Sequence, residues 1–440
     1  MALVVFLSQP AFADTLTEAM VKAYNTNPDL AAAQAELRAT DELAPQALSG
    51  YRPNVSATAT AGITSQESQS IGNHDWNSYS AGLQVQQPVY RGGRTAAAVR
   101  EADSSIAAQR ASLRNTEQNI LLQATTAYLA VLRDEAVLAL TKNNEQVLRR
   151  QLQAAQDRFS VGEVTITDVS QSEARLSGAT AAKVQSEGTL TDSRATYQRI
   201  VGEAPKELKK PENTKLDLPI TLDEALEAAA QNNPALIAAA HSRDAADAAL
   251  DGVKGERLPT LTAQGSLSRS YDAGSPFADR EDTASALLNI NIPLYQAGAV
   301  SSRIREARQT VARRERERDS AERQATELVT SAWEQLKTAK ATRESRASQV
   351  EAARVALDGV KQEAFVGSRS VLDTLDAEQE YLDAQVGLVR AEHDEMLAGY
   401  QILSAIGRLT ARDLQLPVEY YDEKAYADQV RGQWIGSDVE

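Results

Sequence analysis

Two stretches that begin 205 residues apart carry the same pattern: LQVQQPVYRGGR at residues 83–94 and LNINIPLYQAGA at residues 288–299. In each, apolar and polar residues alternate before a proline, an apolar residue, a tyrosine and a glycine, and a long run of helix-forming residues follows. Alternation with a period of two is typical of a strand with one apolar face. Both stretches therefore predict a β-strand that is joined to a helix.

This pattern belongs to a duplication of nearly the whole chain. TLTEAMVKAYNTNPDLAAA at 15–33 matches TLDEALEAAAQNNPALIAAA at 221–240, and RFSVGEVTITDV at 158–169 matches EAFVGSRSVLDTL at 363–375. Matches in a fixed order along a chain indicate internal repetition. The predicted parts are a first repeat at 14–205, a linker at 206–220, a second repeat at 221–410 and an acidic tail at 411–440.

Each repeat predicts a helix, two strands, a long helix, a turn and a second helix. The opening helix begins at Thr15 or Thr221, where a Glu three residues later completes a capping box. No proline occurs at 95–158 or 301–364, where Ala, Gln, Glu and Arg dominate. Such a helix measures roughly 95 Å at 1.5 Å per residue. It therefore cannot fit a compact domain and must pack along other helices as in a coiled coil.

The two long helices end at similar turns. A glycine in the left-handed conformation can end a helix, and a Ser or Thr with an Asp three residues later can restart one as a capping box. The sequence therefore predicts two tight helical hairpins. The residues at these turns are Gly162, Thr165 and Asp168 in the first repeat and Gly367, Ser370 and Asp373 in the second.

The predicted strands form hairpins at about 54–87 and 260–292. One face of each strand is apolar, and the other carries uncharged Ser, Thr, Asn, Gln and Gly. Each strand can reach about eleven residues, which is enough to cross a bilayer at a tilt. A half-buried sheet of a soluble domain has the same alternation. The start of the chain, which is typical of an export signal at residues 1–13, and the small polar face favour the membrane, with water on the polar side.

Four strands cannot close a barrel, and an open sheet edge is not tolerated in lipid. Several copies must therefore share one barrel. Two copies give eight strands with a filled interior, whereas three give twelve strands around a channel. The small polar face favours the trimer.

The prolines lie at the same end of the predicted strands, where a missing N–H would stop the strand ladder. A glycine follows in each repeat before the long helix. We expect these residues to form the joint between a β-barrel and a tube of helices. The joint residues are Pro53, Pro88 and Gly93 in the first repeat and Pro259, Pro293 and Gly298 in the second.

Composition excludes several classes of function. The chain has no Cys, which removes disulfides and thiolate metal sites. Its net charge of −15 argues against nucleic acid as a partner. The sequence contains no phosphate-binding loop, metal-ligand cluster or nucleophile–base set. We therefore expect no catalytic residues, no metal and no cofactor.

The first thirteen residues, MALVVFLSQPAFA, are apolar and end in a small-x-small pattern. This pattern is typical of a signal peptide, so the chain is expected to be exported. No later stretch reaches the ~18 apolar residues of a membrane-spanning helix. A membrane crossing would therefore use strands.

The NxNP helix start, the duplicated proline–tyrosine–glycine joint, the FxVG…TDV turn and the closing IG resemble the TolC family of outer-membrane efflux ducts. The resemblance covers about 14–410. It implies a homotrimer in the outer membrane of a Gram-negative bacterium, with a twelve-stranded β-barrel in the lipid, an α-helical barrel in the periplasm and an equatorial belt. The linker and the tail would lie in that belt. Lacking Cys, the chain resembles the type I secretion branch more than the lipidated drug-efflux branch.

The resemblance also implies partners and a gate. The partners are a periplasmic adaptor protein, which would contact the hairpin turns, and an inner-membrane ABC or proton-driven transporter. Asp373 and Asp376 match paired aspartates at the periplasmic entrance, although Asp373 is also placed to cap its own helix. Arg369 matches an arginine of the gate latch, and Phe365 stands where the family has a tyrosine.

The predicted function is thus a passive exit duct for type I secretion or multidrug efflux. The rival is a soluble periplasmic coiled-coil scaffold or adaptor, whose sheets would be exposed to water.

Overall fold

A computed structural model describes residues 14–68, 72–211, 216–271 and 280–436. The predicted signal peptide at 1–13, part of the linker at 212–215 and the tail residues Asp438 and Glu440 lie outside the described residues. The chain forms two compact units, and each draws segments from both repeats. Unit 1 consists of Met1–Gln34, Ser112–Leu236 and Glu322–Tyr421, and unit 2 of Ala35–Ala111, Ile237–Ala321 and Asp422–Glu440.

The predicted mainly helical fold with two β-hairpins is what the structure shows. Two long helices run for 67 residues each, Arg94–Ser160 and Ala299–Phe365. The helices are α1 Leu16–Thr26, α2 Pro28–Asp41, α3 Leu43–Leu48, α4 Arg94–Ser160, α5 Ile166–Val201, α6 Leu222–Asn232, α7 Pro234–Gly255, α8 Ala299–Phe365, α9 Val371–Ala405 and α10 Ala425–Val430. The strands are β1 Asn54–Ser68, β2 Gly72–Arg91, β3 Thr260–Tyr271 and β4 Arg280–Asn291.

The single opening helix predicted for each repeat is wrong, because the first helix ends early and further helices follow it, α2 and α3 in the first repeat and α7 in the second. The break falls before Pro28 in the first repeat and before Pro234 in the second. A proline disfavours helical backbone at the residue before it but suits the first position of a new helix. Asn27 and Asn233 accordingly adopt extended backbone, with ψ of 122° and 117°.

These two asparagines tie the opening helices to the closing helix of the same repeat. Asn27 is 8% exposed and Asn233 7%. The Asn27 side-chain amide donates to the Ile200 carbonyl at 3.2 Å, and that of Asn233 donates to the Ala405 carbonyl at 3.1 Å. In each repeat, the asparagine before the proline therefore contacts the closing segment, which is IVG in the first repeat and AIG in the second. Both contacts lie within unit 1.

Each asparagine also caps the helix that follows it. The Asn27 side-chain oxygen accepts from the backbone N–H of Asp29 at 2.9 Å, and that of Asn233 accepts from Ala235 at 3.0 Å. The contact in the second repeat also requires a glycine at position 407, because a Cβ there would lie 2.2 Å from the Asn232 carbonyl oxygen. The φ of 82° at Gly407 is also unfavourable for any residue with a side chain.

The four strands form one antiparallel sheet in the order β1-β2-β3-β4. Asn54 pairs with Gln86, Leu83 with Leu267, and Leu261 with Ile290. β1 has 15 residues and β2 has 20, so the predicted length of eleven is wrong for the first hairpin. β3 and β4 have 12 residues each.

Pro88 does not end its strand, contrary to expectation. β2 continues to Arg91, and its register with β3 shifts between Pro88 and Tyr90. Since β1 begins at Asn54 opposite Gln86, β2 has only one neighbour at Pro88 among the described strands. A missing N–H is tolerated at such an edge or bulge. The other joint prolines flank their strands as predicted, since Pro53 lies just before β1, Pro259 just before β3 and Pro293 just after β4.

We predict that Asn27→Ala loosens the start of α2. The substitution removes a buried hydrogen bond and a helix cap, which together stabilise the helix by about 2 kcal/mol. Hydrogen exchange of the first amides of α2 should become roughly 30-fold faster, as measured by mass spectrometry. Asn25→Ala is the matched control, because Asn25 is exposed on the preceding helix turn. Equal exchange in the two variants would contradict the assigned role.

Candidate functional site

The first hairpin turn follows α4 in unit 1. Gly162 has a φ of 82°, and the N–H of Glu163 donates to the Arg158 carbonyl at 2.9 Å. This left-handed ending satisfies carbonyls at the end of α4. Thr165 then starts α5 as a capping box with Asp168. A short, well-defined turn results.

The second turn, after α8, repeats this geometry. Gly367 has a φ of 81°, and the N–H of Ser368 donates to the Glu363 carbonyl at 2.9 Å. Ser370 starts α9 as a capping box with Asp373. The left-handed glycines and capping boxes predicted from the sequence are therefore present at both turns.

Hydrogen bonds at these caps favour the ionised carboxylates. The hydroxyl and backbone N–H of Thr165 donate to Asp168 at 2.7 and 2.9 Å, and lower the pKa of its carboxyl. The hydroxyl and N–H of Ser370 lower the pKa of Asp373 in the same way. A lowered pKa means that these caps stabilise the folded helix above the unfolded value near 3.9 and lose this effect as pH falls through the folded value.

The two hairpins pack against each other through α5 and α9. Leu148 of α4, Ala179 of α5 and Leu375 of α9 are buried together. Arg175 of α5 forms a hydrogen-bonded ion pair with Asp376 of α9. The structure thus brings the predicted gate residue Asp376 against a basic partner that the sequence analysis did not identify. The position in the first repeat that corresponds to Asp376 is Gln171, so the acidic gate position is not duplicated.

The predicted latch residues Arg369 and Phe365 lie on either side of Gly367 at the second turn. Arg369 pairs with Glu363 of its own chain, with the Nε and Oε2 atoms 2.8 Å apart. This pair raises the pKa of the Arg369 guanidinium. Phe365 is 88% exposed, and Val366 is 75% exposed. The turn therefore presents apolar side chains to its surroundings.

The joint residues form a second site, in unit 2. Gly93 and Gly298 have φ values of 74° and 80°, as expected for residues that end one element before a helix begins. The neighbouring Gly92 approaches Gly255 so closely that a Cβ on Gly92 would lie 2.3 Å from the Gly255 carbonyl oxygen. The first joint therefore contacts the end of α7, which the sequence analysis missed.

The apolar face of the sheet is open. Cross-strand partners share a face, so the register defines this face as a continuous set of residues. Ile290 is 64% exposed and Leu267 58%. Large exposed apolar areas mark membrane or protein contacts. The face comprises Val55, Ala57, Ala59, Ala61, Leu83, Val85, Leu261, Ala263, Leu267, Ala284, Ala286, Leu288 and Ile290.

Tyrosines border this face at both ends. Tyr79 pairs with Tyr271 at one end, and Tyr90 pairs with Leu261 near the joint. Tyr271 lies ten residues beyond Leu261 along β3. At ~3.3 Å per residue and a tilt of about 40°, the separation along the membrane normal is ~25 Å. That is about the height of the apolar band of an outer-membrane barrel between its aromatic girdles.

Asp282 forms ion pairs with two arginines on the same face, with Arg269 one row inside the Tyr79–Tyr271 pair and with Arg280 opposite Tyr271, at 3.2 Å. The Arg269 guanidinium contacts the Asp282 carboxylate at 2.6 and 3.1 Å across β3 and β4. Charges near the edge of a membrane band cost little, and pairing lowers the cost further.

Two features are absent from the part of the chain that the structure describes. None of the helices in this part has both the length and the apolar character needed to cross a membrane. Within 14–68, 72–211, 216–271 and 280–436, no three His, Asp or Glu side chains come together as a metal site would require.

Comparison with known proteins gives a consistent result. The model of the family "Outer membrane efflux protein" matches residues 19–203 and again 225–408. The outer membrane efflux protein BepC of Brucella suis is 35% identical over 98% of this chain and 94% of its own length. The outer membrane protein TolC of Escherichia coli is 27% identical over 91% of this chain and 84% of its own length.

Solved structures show the same fold at low sequence identity. The CmeC outer membrane channel of Campylobacter jejuni has a TM-score of 0.82 at 14% identity, over 95% of this chain and 89% of that one. The outer-membrane channel OprN has a TM-score of 0.79 at 22% identity, over 89% of both chains.

Two β-hairpins with an open apolar face, joined to helices of 67 residues, define the class of outer-membrane efflux channels. The chain belongs to the outer membrane efflux protein family, and the outer membrane is its location. The predicted duplication, fold class and channel function are confirmed. The repeat boundaries and the roles of individual residues stay predictions.

We predict that the hairpin caps weaken only in acid. Because the pKa values of Asp168 and Asp373 are lowered, local opening at the starts of α5 and α9 should not change between pH 7 and about 5, and should increase below about pH 4. Hydrogen exchange, corrected for its intrinsic pH dependence, measures this opening. Asp373→Asn should abolish the response at α9 and leave it at α5, which serves as the internal control. A response at α9 that persists in this variant would contradict the assignment.

Proposed function

We propose that three copies of this chain close a twelve-stranded barrel in the outer membrane and form the exit duct of an export system. The observation that carries the proposal is a four-stranded sheet with an open apolar face and two edge strands, β1 and β4, each with one neighbour in the described chain. Unpaired backbone groups are not tolerated in lipid. If copies pair edge to edge, the backbone groups of β1 and β4 gain partners. Lipid then covers the apolar face.

The direction of the strands supports closure by identical copies. β1 and β4 run in opposite directions in an antiparallel sheet of four. The β4 of one copy can therefore pair antiparallel with the β1 of the next, and this head-to-tail contact closes into a ring. Two copies would enclose a filled interior, whereas three leave a channel.

The polar face supports a water-filled lumen. It carries uncharged residues such as Thr58, Gln84, Ser266 and Asn289. The Ser266 and Ser285 hydroxyls are 2.7 Å apart and the Asn289 amide donates to Gln264 at 3.3 Å, so these side chains also bond across strands. Small polar residues leave open space and hydrate readily.

The duct is passive in this proposal, and the chain is not an enzyme. The relatives named above are channels or outer-membrane efflux proteins. Others are named for secretion, such as the alkaline protease secretion protein AprF of Pseudomonas aeruginosa, 23% identical over 78% of this chain and 73% of its own length. Type I secretion and multidrug efflux are therefore both proposed roles. The rival idea of a soluble scaffold does not fit an outer-membrane location.

The hairpin turns are proposed to dock a periplasmic adaptor protein, which links the duct to an inner-membrane ABC or proton-driven transporter. Val161 and Ile166 flank the first turn and are 71% and 59% exposed. Phe365 and Val366 precede Gly367 at the second turn and are also exposed. Exposed apolar side chains on rigid turns suit contact with another protein.

Asp376 is the proposed gate residue. In a trimer, Asp373 and Asp376 together would gather six carboxylates at the entrance, which attracts cations and opposes anions. Asp373 already caps α9, so its carboxylate is held by Ser370. Asp376 pairs with Arg175 at an exposed site, and such pairs are weak. We infer that Asp376 exchanges its partner when the gate moves.

The latch is proposed to depend on Arg369 and Glu363. Their ion pair lies within one chain here. A phenyl ring at Phe365 cannot donate a hydrogen bond, so it can contribute only apolar contact. The latch would therefore depend more on charge and be more sensitive to salt than one that uses a tyrosine.

We predict that the protein requires detergent for extraction and then has three times the mass of its processed chain in native mass spectrometry, the full 440 residues being 47.5 kDa. Lipid-facing side chains and shared barrel edges require both results. A monomer that dissolves in plain buffer would contradict the proposal.

We predict that Asp376→Asn weakens block by divalent cations in single-channel recording. Each carboxylate attracts a nearby divalent ion by more than ~1 kcal/mol even in water, so the loss of three should raise the half-blocking concentration at least about 100-fold. Asp192→Asn is the matched control, because it removes the same charge from an exposed position late in α5. Unchanged block by Asp376→Asn would remove this residue from the gate.

A further inference from the structure

The tail of the chain follows α4 within unit 2. The Arg110 guanidinium donates to the Glu423 carbonyl at 3.2 Å, and Arg431 forms a two-bond ion pair with Asp103 at 2.7 and 3.0 Å. As the tail advances from 423 to 431, its contact on α4 moves back from 110 to 103. The tail therefore runs antiparallel to α4, toward the end of the helix that adjoins the sheet.

Side chains hold the tail in place along this path. The Tyr426 hydroxyl donates to the Glu42 carboxylate at 2.8 Å, and Val430 is only 1% exposed. Both residues belong to the six-residue helix α10. The described part of the tail therefore has a defined position.

The tail ends beside the start of β1. The Arg52 side chain donates to the Gln433 carbonyl at 2.5 Å, and its guanidinium lies 4.9 Å from the centre of the Trp434 ring. Arg52 is two residues before Asn54, the first residue of β1. Although Trp434 stacks on this cation, it is 67% exposed, and Ile435 is 96% exposed. Two large apolar side chains are thus held at the joint and left uncovered.

Other aromatic side chains are exposed at the same joint. Tyr51 adjoins Arg52, Tyr90 closes the apolar face on β2, and Tyr295 follows β4 with 87% exposure. Trp and Tyr are enriched where a membrane meets water, since their rings accept both apolar chains and polar headgroups. An arginine beside them can contact lipid phosphates. Trp434 and Ile435 therefore continue the apolar, aromatic border of the sheet.

We propose that Trp434 and Ile435 form an interfacial anchor that inserts into the headgroup and upper acyl region of the inner leaflet of the outer membrane. This inference rests on the proposed insertion of the strands into that membrane, and its occupant is phospholipid. A tail that is fixed to α4 and to Arg52 would then tie the first joint to the lipid surface. A neighbouring copy of the chain is the other possible cover for these side chains, and the test separates the two.

The chain has three tryptophans, at positions 76, 333 and 434, so a single-tryptophan variant can report on the tail. Trp76→Phe with Trp333→Phe leaves Trp434 as the sole emitter. In phospholipid bilayers brominated near the headgroup, its emission should fall at least about twofold relative to unbrominated bilayers. The control keeps Trp333 instead, a half-buried residue of α8 in unit 1, and its emission should not change. Unquenched emission from Trp434 would overturn the proposal, and a blue shift without quenching would indicate a subunit contact instead.

A second measurement covers the case in which the tryptophan variants fail to fold. Because the chain has no Cys, a spin label at Ile435→Cys reports this position alone. We expect the label to be more accessible to oxygen than to a water-soluble nickel complex. The matched labels are Leu288→Cys on the apolar face of β4 and Asp192→Cys on an exposed part of α5. If the label at position 288 is exposed to lipid and the label at position 435 to water, the anchor alone is wrong. If both labels are exposed to water, the proposed barrel is wrong as well.

Discussion

Backbone hydrogen bonds at the edges of the sheet are the constraint on which the rest depends. Four strands of 12 to 20 residues leave β1 and β4 with unpaired groups, and an apolar face lies open beside them. In water, such a sheet would aggregate. In lipid, its edges must find partners, and the proposed barrel supplies them from other copies of the chain. Open edge strands would be unstable in an isolated sheet, but in the outer membrane they require the sheet to assemble with further strands. This requirement accounts for two hairpins on one continuous sheet.

The structural contacts are shared by the two repeats, whereas the proposed gate residues occur in one repeat only. Both repeats keep the asparagine contact, the left-handed glycine and the capping box. The acidic position 376 corresponds to Gln171, and Arg369 corresponds to Val164. The proposed gate is therefore built on one hairpin of an otherwise matched pair. The tail, which has no counterpart in the first repeat, is likewise fixed to one side of unit 2.

Local patterns made the elements and turns predictable, because helix caps, left-handed glycines and strand alternation depend on neighbours in sequence. Contacts between distant segments were not predictable in this way. Arg175 was missed as the partner of Asp376 because nothing along one helix shows what faces it on another. The extension of β2 past Pro88 depended on where β1 begins, and the two functions of Asn27 depended on the end of α5. The tail was expected to wrap an equator, whereas residues 422–436 follow α4 toward the sheet.

Cross-linking of the two edge strands tests the central claim most directly, since designed cysteines would be the only ones in the chain. Ala57→Cys on β1 would be combined in turn with a cysteine at Ala284, Ala286 or Leu288 on β4, and oxidised in outer membranes. If three copies share one barrel, at least one pair should give covalent species that end at a trimer. Products that stop at a dimer, continue beyond three chains or fail to form with every pair would contradict a twelve-stranded barrel.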